Sequence, residues 1–191
     1  IGIFINLVEI IKFGNNQLKN SVIILLIILI FTCAERAYKS FSDIKTMSRN
    51  VYEQQYQIAK FLKKNYNNST VILSDIGCTT YFTNIKLIDL MSIGSIEPIK
   101  LRLVNKFNSE EINKLAKRKN AEIAILNKDL FKNLIPNDWI EIETWKNNAN
   151  LEYNMDKITF YSANSENTVI LLFNLEEFSK ELPENIEILN F

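Results

Sequence analysis

The chain has 191 residues, a length that suits one domain plus a membrane anchor. Its 22 basic and 22 acidic residues cancel, which leaves no electrostatic footprint for a nucleic-acid partner. Histidine is absent, which excludes His-based general-base catalysis, Ser-His-Asp triads and His-ligated metal sites.

Cys33 and Cys78 are the only cysteines, and Cys33 lies in an apolar run, so no disulfide framework is expected. The first residue is Ile1 rather than Met, inside an apolar stretch, and the sequence reads as the C-terminal piece of a longer protein. Residues 1–13 are apolar but diluted by Asn6, Glu9 and Lys12. Gly14, Asn15 and Asn16 then give a turn signal. Residues 21–34, SVIILLIILIFTCA, carry no charge between Lys19 and Glu35. The run is shorter than the roughly 20 apolar residues that span a bilayer, but flanking Lys19, Asn20 and Tyr38 extend it by snorkelling at the interfaces. The expectation is a membrane helix or helical hairpin over residues 1–38, with a soluble domain over 39–191. A buried core helix and a signal peptide are the competing readings of the same run. Lys12 and Lys19 precede the span; Arg36, Lys39, Lys45 and Arg49 follow it. This count points to a cytoplasmic domain.

Beyond the membrane segment, one helix leaves the bilayer and a second, amphipathic helix follows. The second places Val51, Ile58, Ala59, Leu62 and Tyr66 on one stripe, broadened by Tyr52 and Phe61, and Asn67-Asn68-Ser69 stops it. Residues 71–75 and 86–90 read as short buried strands. Ser109 is the expected N-cap of a helix running to Lys119 with Ile112, Leu115 and Ala116 on one face. Residues 122–126 form a third strand, and the alternation in 139–143 predicts a half-exposed one. Residues 157–161 and 168–173 suggest a closing hairpin, and 175–182 a last helix stopped by Pro183. Strands alternating with helices, then strands in succession, predict an α/β fold with a small mixed sheet and an antiparallel edge.

The most specific segment runs from Asp75 through Gly77, Tyr81 and Phe82 to Asp89. A carboxylate ends each of two strands; if these are parallel neighbours, Asp75 and Asp89 emerge at the same sheet edge, where ligands of open α/β sheets bind. The alternative is that Asp75 caps its own turn through backbone N–H groups. Gly77 is expected to serve the backbone conformation of that turn, and Tyr81 and Phe82 to lie in the core. Two carboxylates without His, Cys or a third acid make no metal site, and no cofactor is expected.

Tyr52-Glu53-Gln54-Gln55, Asp75-Ile76-Gly77 with Tyr81-Phe82, Ile88-Asp89-Leu90, the strand Ile158-Thr159-Phe160-Tyr161 and the final Leu182-Pro183 together resemble one family. They are similar to the C-terminal soluble region of polytopic bacterial GT-C-type glycosyltransferases of the dolichyl-phosphate-mannose and aminoarabinose transferase type. Cys78, where small residues are usual, and Met91, where Gly or Trp is common, depart from that pattern. The resemblance implies sugar transfer from a polyprenyl-phosphate donor to a glycan or lipid acceptor, with this domain on the outer face of the bacterial inner membrane. It implies a catalytic carboxylate in a loop upstream of this chain, so no catalytic residue carries over; Asp75, Gly77, Tyr81 and Asp89 are left as substrate-binding candidates. The reading from a different class is a non-enzymatic, membrane-anchored binding or scaffold domain.

Overall fold

The computed structural model describes residues 15–148 and 156–190. The first expected apolar stretch, residues 1–13, lies outside the described residues. The chain divides into two units, Ile1–Met47 and Ser48–Phe191.

In the first unit the described chain is helical. Helix α1 spans Asn16–Asn50. Asn15 starts it, its side-chain oxygen accepting from the Leu18 N–H at 2.8 Å, as an N-cap should. None of its residues is buried, so the run 21–34 is not a core helix. The helix is long and apolar enough to cross a membrane.

The second unit is a three-layer α/β domain. Instead of a second helix starting afresh, the chain passes from α1 into a π-helical turn, Val51–Gln55, and on into α2, Tyr56–Asn65. The wide turn inserts a residue into the helical register and so rotates the stripe read from the sequence. Ile58, Ala59, Phe61, Leu62 and Tyr66 are buried as expected, whereas Val51 and Tyr52 are exposed and Glu53 is buried. Strand β1 (Thr70–Leu73), helix α3 (Gly77–Phe82) and β2 (Lys86–Asp89) follow. Next come α4 (Ile96–Leu103), α5 (Ser109–Arg118), β3 (Ala121–Leu126) and α6 (Lys128–Phe131). The chain ends with β4 (Ile140–Asn147), β5 (Lys157–Ser162), a 3-10 turn (Ser165–Asn167), α7 (Thr168–Ser179) and β6 (Ile186–Asn190).

The sheet has six strands in the order β2-β1-β3-β5-β4-β6. β1 pairs in parallel with both β2 and β3, and the remaining pairings are antiparallel, so the mixed sheet with an antiparallel edge is present. The period-two alternation of β3 sends Ile123 and Ile125 to one face and Ala124 and Leu126 to the other. On the first face α2 and α7 pack around Phe61, Trp145, Phe160 and Phe178. On the second, α5 brings Ile112, Leu115 and Ala116 against Phe131, Trp139 and Tyr161.

Two expectations are corrected here, and one strand that the sequence did not announce is added. Residues 168–173 are not a strand but the start of α7: Leu171, Leu175 and Phe178 face the core at helical spacing. A six-residue apolar run rich in β-branched side chains has no periodicity that separates strand from helix. The partner of β4 on its outer side is β6, at the chain's end. The N-cap of α5 is Asn108, not Ser109, its side chain accepting from the Glu111 N–H at 3.0 Å.

Within the core sits a buried acid, Glu143 on β4, whose carboxylate accepts from the Trp145 indole N–H at 2.5 Å. Burial pushes its pKa up, and the indole bond offsets this only in part. The folded state therefore holds this proton more tightly than the unfolded chain does. The contribution of this group to stability is full below the ordinary Glu range and falls as pH rises from there through the raised folded value. Glu143→Gln should flatten that fall in a series of melting curves from acid to neutral pH; an unchanged profile would show that the carboxyl is already fully compensated.

Candidate functional site

The carboxyl ends of the three parallel strands meet at one edge, and the residues just beyond them are Ser74 and Asp75 after β1, Met91 and Ile93 after β2, and Asn127 after β3. Together with Asn50, Val51, Gln54 and Gln55 they enclose a cleft of about 330 Å³. Its polar lining is mostly neutral: the side-chain amides of Asn50, Gln54, Gln55 and Asn127 and the hydroxyl of Ser74, with Asp75 as its exposed carboxylate. Ile76, Met91, Ile93, Leu130 and Ile158 supply apolar wall. A cavity of about 20 Å³, room for one water, shares Gln54, Gln55, Ser74 and Asp75 with the cleft. This is where doubly wound sheets place ligands, because the strands diverge there and leave a crevice.

The π turn sets Gln54 and Gln55 on the cleft side while turning Glu53 inward. Such turns recur at functional sites because they display side chains that a regular helix would point elsewhere. Glu53 is held by Arg49 at 2.7 Å and by the Asn185 amide at 2.9 Å. Gln55 donates its amide to Asp75 Oδ2, and the Gly77 N–H donates to Asp75 Oδ1 at 3.3 Å. The Thr79 hydroxyl donates to the Asp75 carbonyl at 3.1 Å. Asp75 therefore caps its own turn and also faces the cleft, so the two readings of this residue are compatible.

Asp89 is placed at the same edge, as the parallel pairing Leu73↔Asp89 requires. Its chemistry is occupied: Oδ1 accepts from the Met91 N–H at 2.8 Å, and Oδ2 from the Ile93 and Gly94 N–H groups at 2.6 and 2.7 Å. Its own N–H donates to the Ser95 hydroxyl at 2.9 Å. With no exposed surface, Asp89 organises the turn from β2 to α4 and so shapes one wall of the cleft.

Gly77 and Tyr81 do not line the cleft. Gly77 opens α3, has no positive φ, and a Cβ built there meets only Asp75 Oδ1 at 4.0 Å, so the turn makes no demand for glycine. Tyr81 is 82 % exposed and Phe82 42 %, which corrects their expected place in the core. α3 is a short helix of under two turns whose buried residue is Thr79, and the two rings lie on its outer side, edge to face at 4.9 Å. Phe82 in turn packs on Tyr56, which stacks on Tyr52. The aromatic pair expected in the core is thus part of an aromatic row on the surface.

The lining offers little for covalent or acid–base chemistry. Burial, and then the Asp75 carboxylate, push the nearby Cys78 thiol up, which disfavours the nucleophilic thiolate. Among the described residues no group of three or more His, Cys, Asp or Glu could hold a metal ion. A larger depression of about 550 Å³ lies at the opposite sheet edge, beside Glu122 and Ala163. Its Lys117 and Asp138 are already joined at 2.8 Å, and it lies away from the carboxyl ends of the parallel strands.

Sequence reasoning found Asp75 and the sheet edge but assigned no role to Gln54, Gln55, Ser74 or Asn127. The adjacent Gln54-Gln55 pair was the available signal; only the π turn shows that both reach the same cleft.

No curated protein and no solved structure matches the chain. A family described as domain of unknown function DUF8728 matches residues 46–164, more than half of the chain and the whole of the cleft lining. The chain therefore belongs to the DUF8728 family.

Proposed function

We propose that this domain binds a neutral, hydroxyl-rich acceptor in the cleft, as the accessory region of a membrane glycosyltransferase that draws on a polyprenyl-phosphate-linked sugar. The observation that carries the reading is the lining: four side-chain amides, a serine hydroxyl and the carboxylates of Asp75 and the buried Asp89, with no Lys or Arg among the described lining residues. Amides donate and accept at once, which suits the mixed donor–acceptor pattern of sugar hydroxyls. A phosphate or nucleotide would meet Asp75 without a compensating cation. The apolar wall at Met91, Ile93 and Leu130 suits the C–H face of a sugar ring. A helix able to cross a membrane in the same chain fits a lipid-linked donor, and on this reading the domain lies outside the cytoplasm of a bacterial inner membrane.

Among the described residues the cleft holds no acid–base pair aimed at a shared substrate position, which favours binding over bond breaking here. A membrane-anchored scaffold with the same cleft is the second reading, and it shares that observation.

The test is ligand-observed NMR on the full chain in detergent, titrated with neutral oligosaccharides and with sugar phosphates. Neutral glycans should bind in the micromolar to millimolar range. Gln55→Ala and Asp75→Ala should each weaken them about tenfold, the loss of a hydrogen bond to a charged or well-placed partner. Preferential binding of sugar phosphates, or neutral binding untouched by both substitutions, would overturn the assignment. Incubated with lipid-linked sugars, the purified chain should show no transfer; turnover would make it catalytic.

A further inference from the structure

Helix α4 turns its apolar face away from the core. Ile96, Ile99 and Leu103 recur at helical spacing and are 65, 36 and 78 % exposed, with Ile93 and Val104 beside them at 74 and 60 %. The inward side is carried by Pro98, which is buried, and Leu101, which packs against the second core cluster. Exposed contiguous apolar surface of this kind marks an interaction site.

The exposure is built in rather than frayed. Ser92 and Asn105, one on each side of α4, adopt left-handed backbone angles of 66° and 54°, which close tight turns. Arg102 anchors the segment: its guanidinium donates to the Leu90 carbonyl and the Ser92 hydroxyl, both at 2.8 Å, and lies 3.8 Å from the Phe107 ring centre. The acid on this helix, Glu97, is joined to Lys119 at 2.5 Å. Lys100 and Lys106 are left at the surface flanking the apolar face.

We infer that α4 is an interfacial helix that docks on an anionic lipid surface. Apolar side chains beside exposed lysines match the boundary between acyl chains and acidic headgroups. A bilayer is the fitting occupant because the chain itself carries a helix able to cross one. The inference rests on the membrane reading of α1 and deepens it by naming the surface that meets lipid.

The experiment uses the full chain with Cys33→Ser and Cys78→Ser, reconstituted in vesicles containing phosphatidylglycerol. An environment-sensitive fluorophore is attached at Leu103→Cys or, as control, at Glu166→Cys. Flotation with the vesicles and resistance to carbonate extraction test α1 independently of α4. The Leu103 probe should show blue-shifted emission, at least about twofold brighter, and be quenched by a lipid-borne nitroxide, while the Glu166 probe stays water-like. Vesicles of phosphatidylcholine alone should weaken the shift. A chain that floats with a water-like Leu103 probe would overturn the lipid surface while sparing the span. A shift that ignores the lipid quencher and grows with protein density would replace lipid by a second copy of the chain. Failure to float would remove the membrane reading and this inference with it.

Discussion

Asp89→Ala is expected to cost about 4 kcal/mol of folding stability, a loss at the upper end for single substitutions. Three backbone N–H groups converge on this carboxylate at 2.6–2.8 Å, inside a residue with no exposed surface. Each charge-assisted bond contributes roughly 1.5–3 kcal/mol, and removing the acceptor strands donors that water does not reach. The contributions do not add in full, because the turn from Leu90 to Ser95 relaxes once one bond is gone. Asp89→Asn keeps one acceptor but aims an amide N–H₂ at the remaining donors, so an intermediate loss of about 2 kcal/mol is expected. Denaturant midpoints of the two variants measure this directly. A wild-type midpoint for Asp89→Ala would show that the carboxylate does not hold the turn and would return Asp89 to the list of ligand-binding candidates.

Trp145→Ala should be comparably damaging, at about 4 kcal/mol, the usual cost of emptying a large aromatic site in a core. Trp145 is 1 % exposed, and its ring centre lies 4.5, 5.8 and 6.0 Å from those of Phe160, Phe178 and Phe61. These rings come from β4, β5, α7 and α2, so the cavity would open at the junction of both layers on that face, where no single element can move to fill it. The loss has a second part: Glu143 would lose its indole donor and be left buried with less compensation. Trp145→Phe restores most of the volume but not the donor, and should recover about half of the stability. For a domain of this size each kilocalorie lowers the melting temperature by roughly 2–4 °C, so thermal scans separate the three proteins. Equal melting temperatures for Trp145→Ala and wild type would mean that the sheet repacks without cost, contrary to the close contacts seen.

Where a segment carried a strong local signal, it could be read directly. The uncharged run 21–34 lies within a helix long and apolar enough to cross a membrane. Val71–Leu73 and Ile123–Leu126 are central strands because unbroken apolar runs suit positions covered on both faces. The face formed by Ile112, Leu115 and Ala116 sits on α5 as its spacing requires. The sequence left open whether the strands before Asp75 and at Asp89 are parallel neighbours; they are, and α3 joins them, which puts both carboxylates at one edge.

Other features depend on contacts distant in sequence. Thr168–Phe173 is helical because Leu171, Leu175 and Phe178 meet Trp145 and Phe61, partners that no local window contains. Tyr81 is exposed because α3 is under two turns long and presents Thr79 inward. Gln54 and Gln55 reach Asp75 only because a π turn, held open where Glu53 meets Arg49 and Asn185, shifts the helix register by a residue. Residue order therefore specifies hydrophobic strands, helical faces and turn carboxylates, whose driving forces act within a few residues. The cleft gathers side chains from five separate segments, and only the packing of the sheet brings them to one edge.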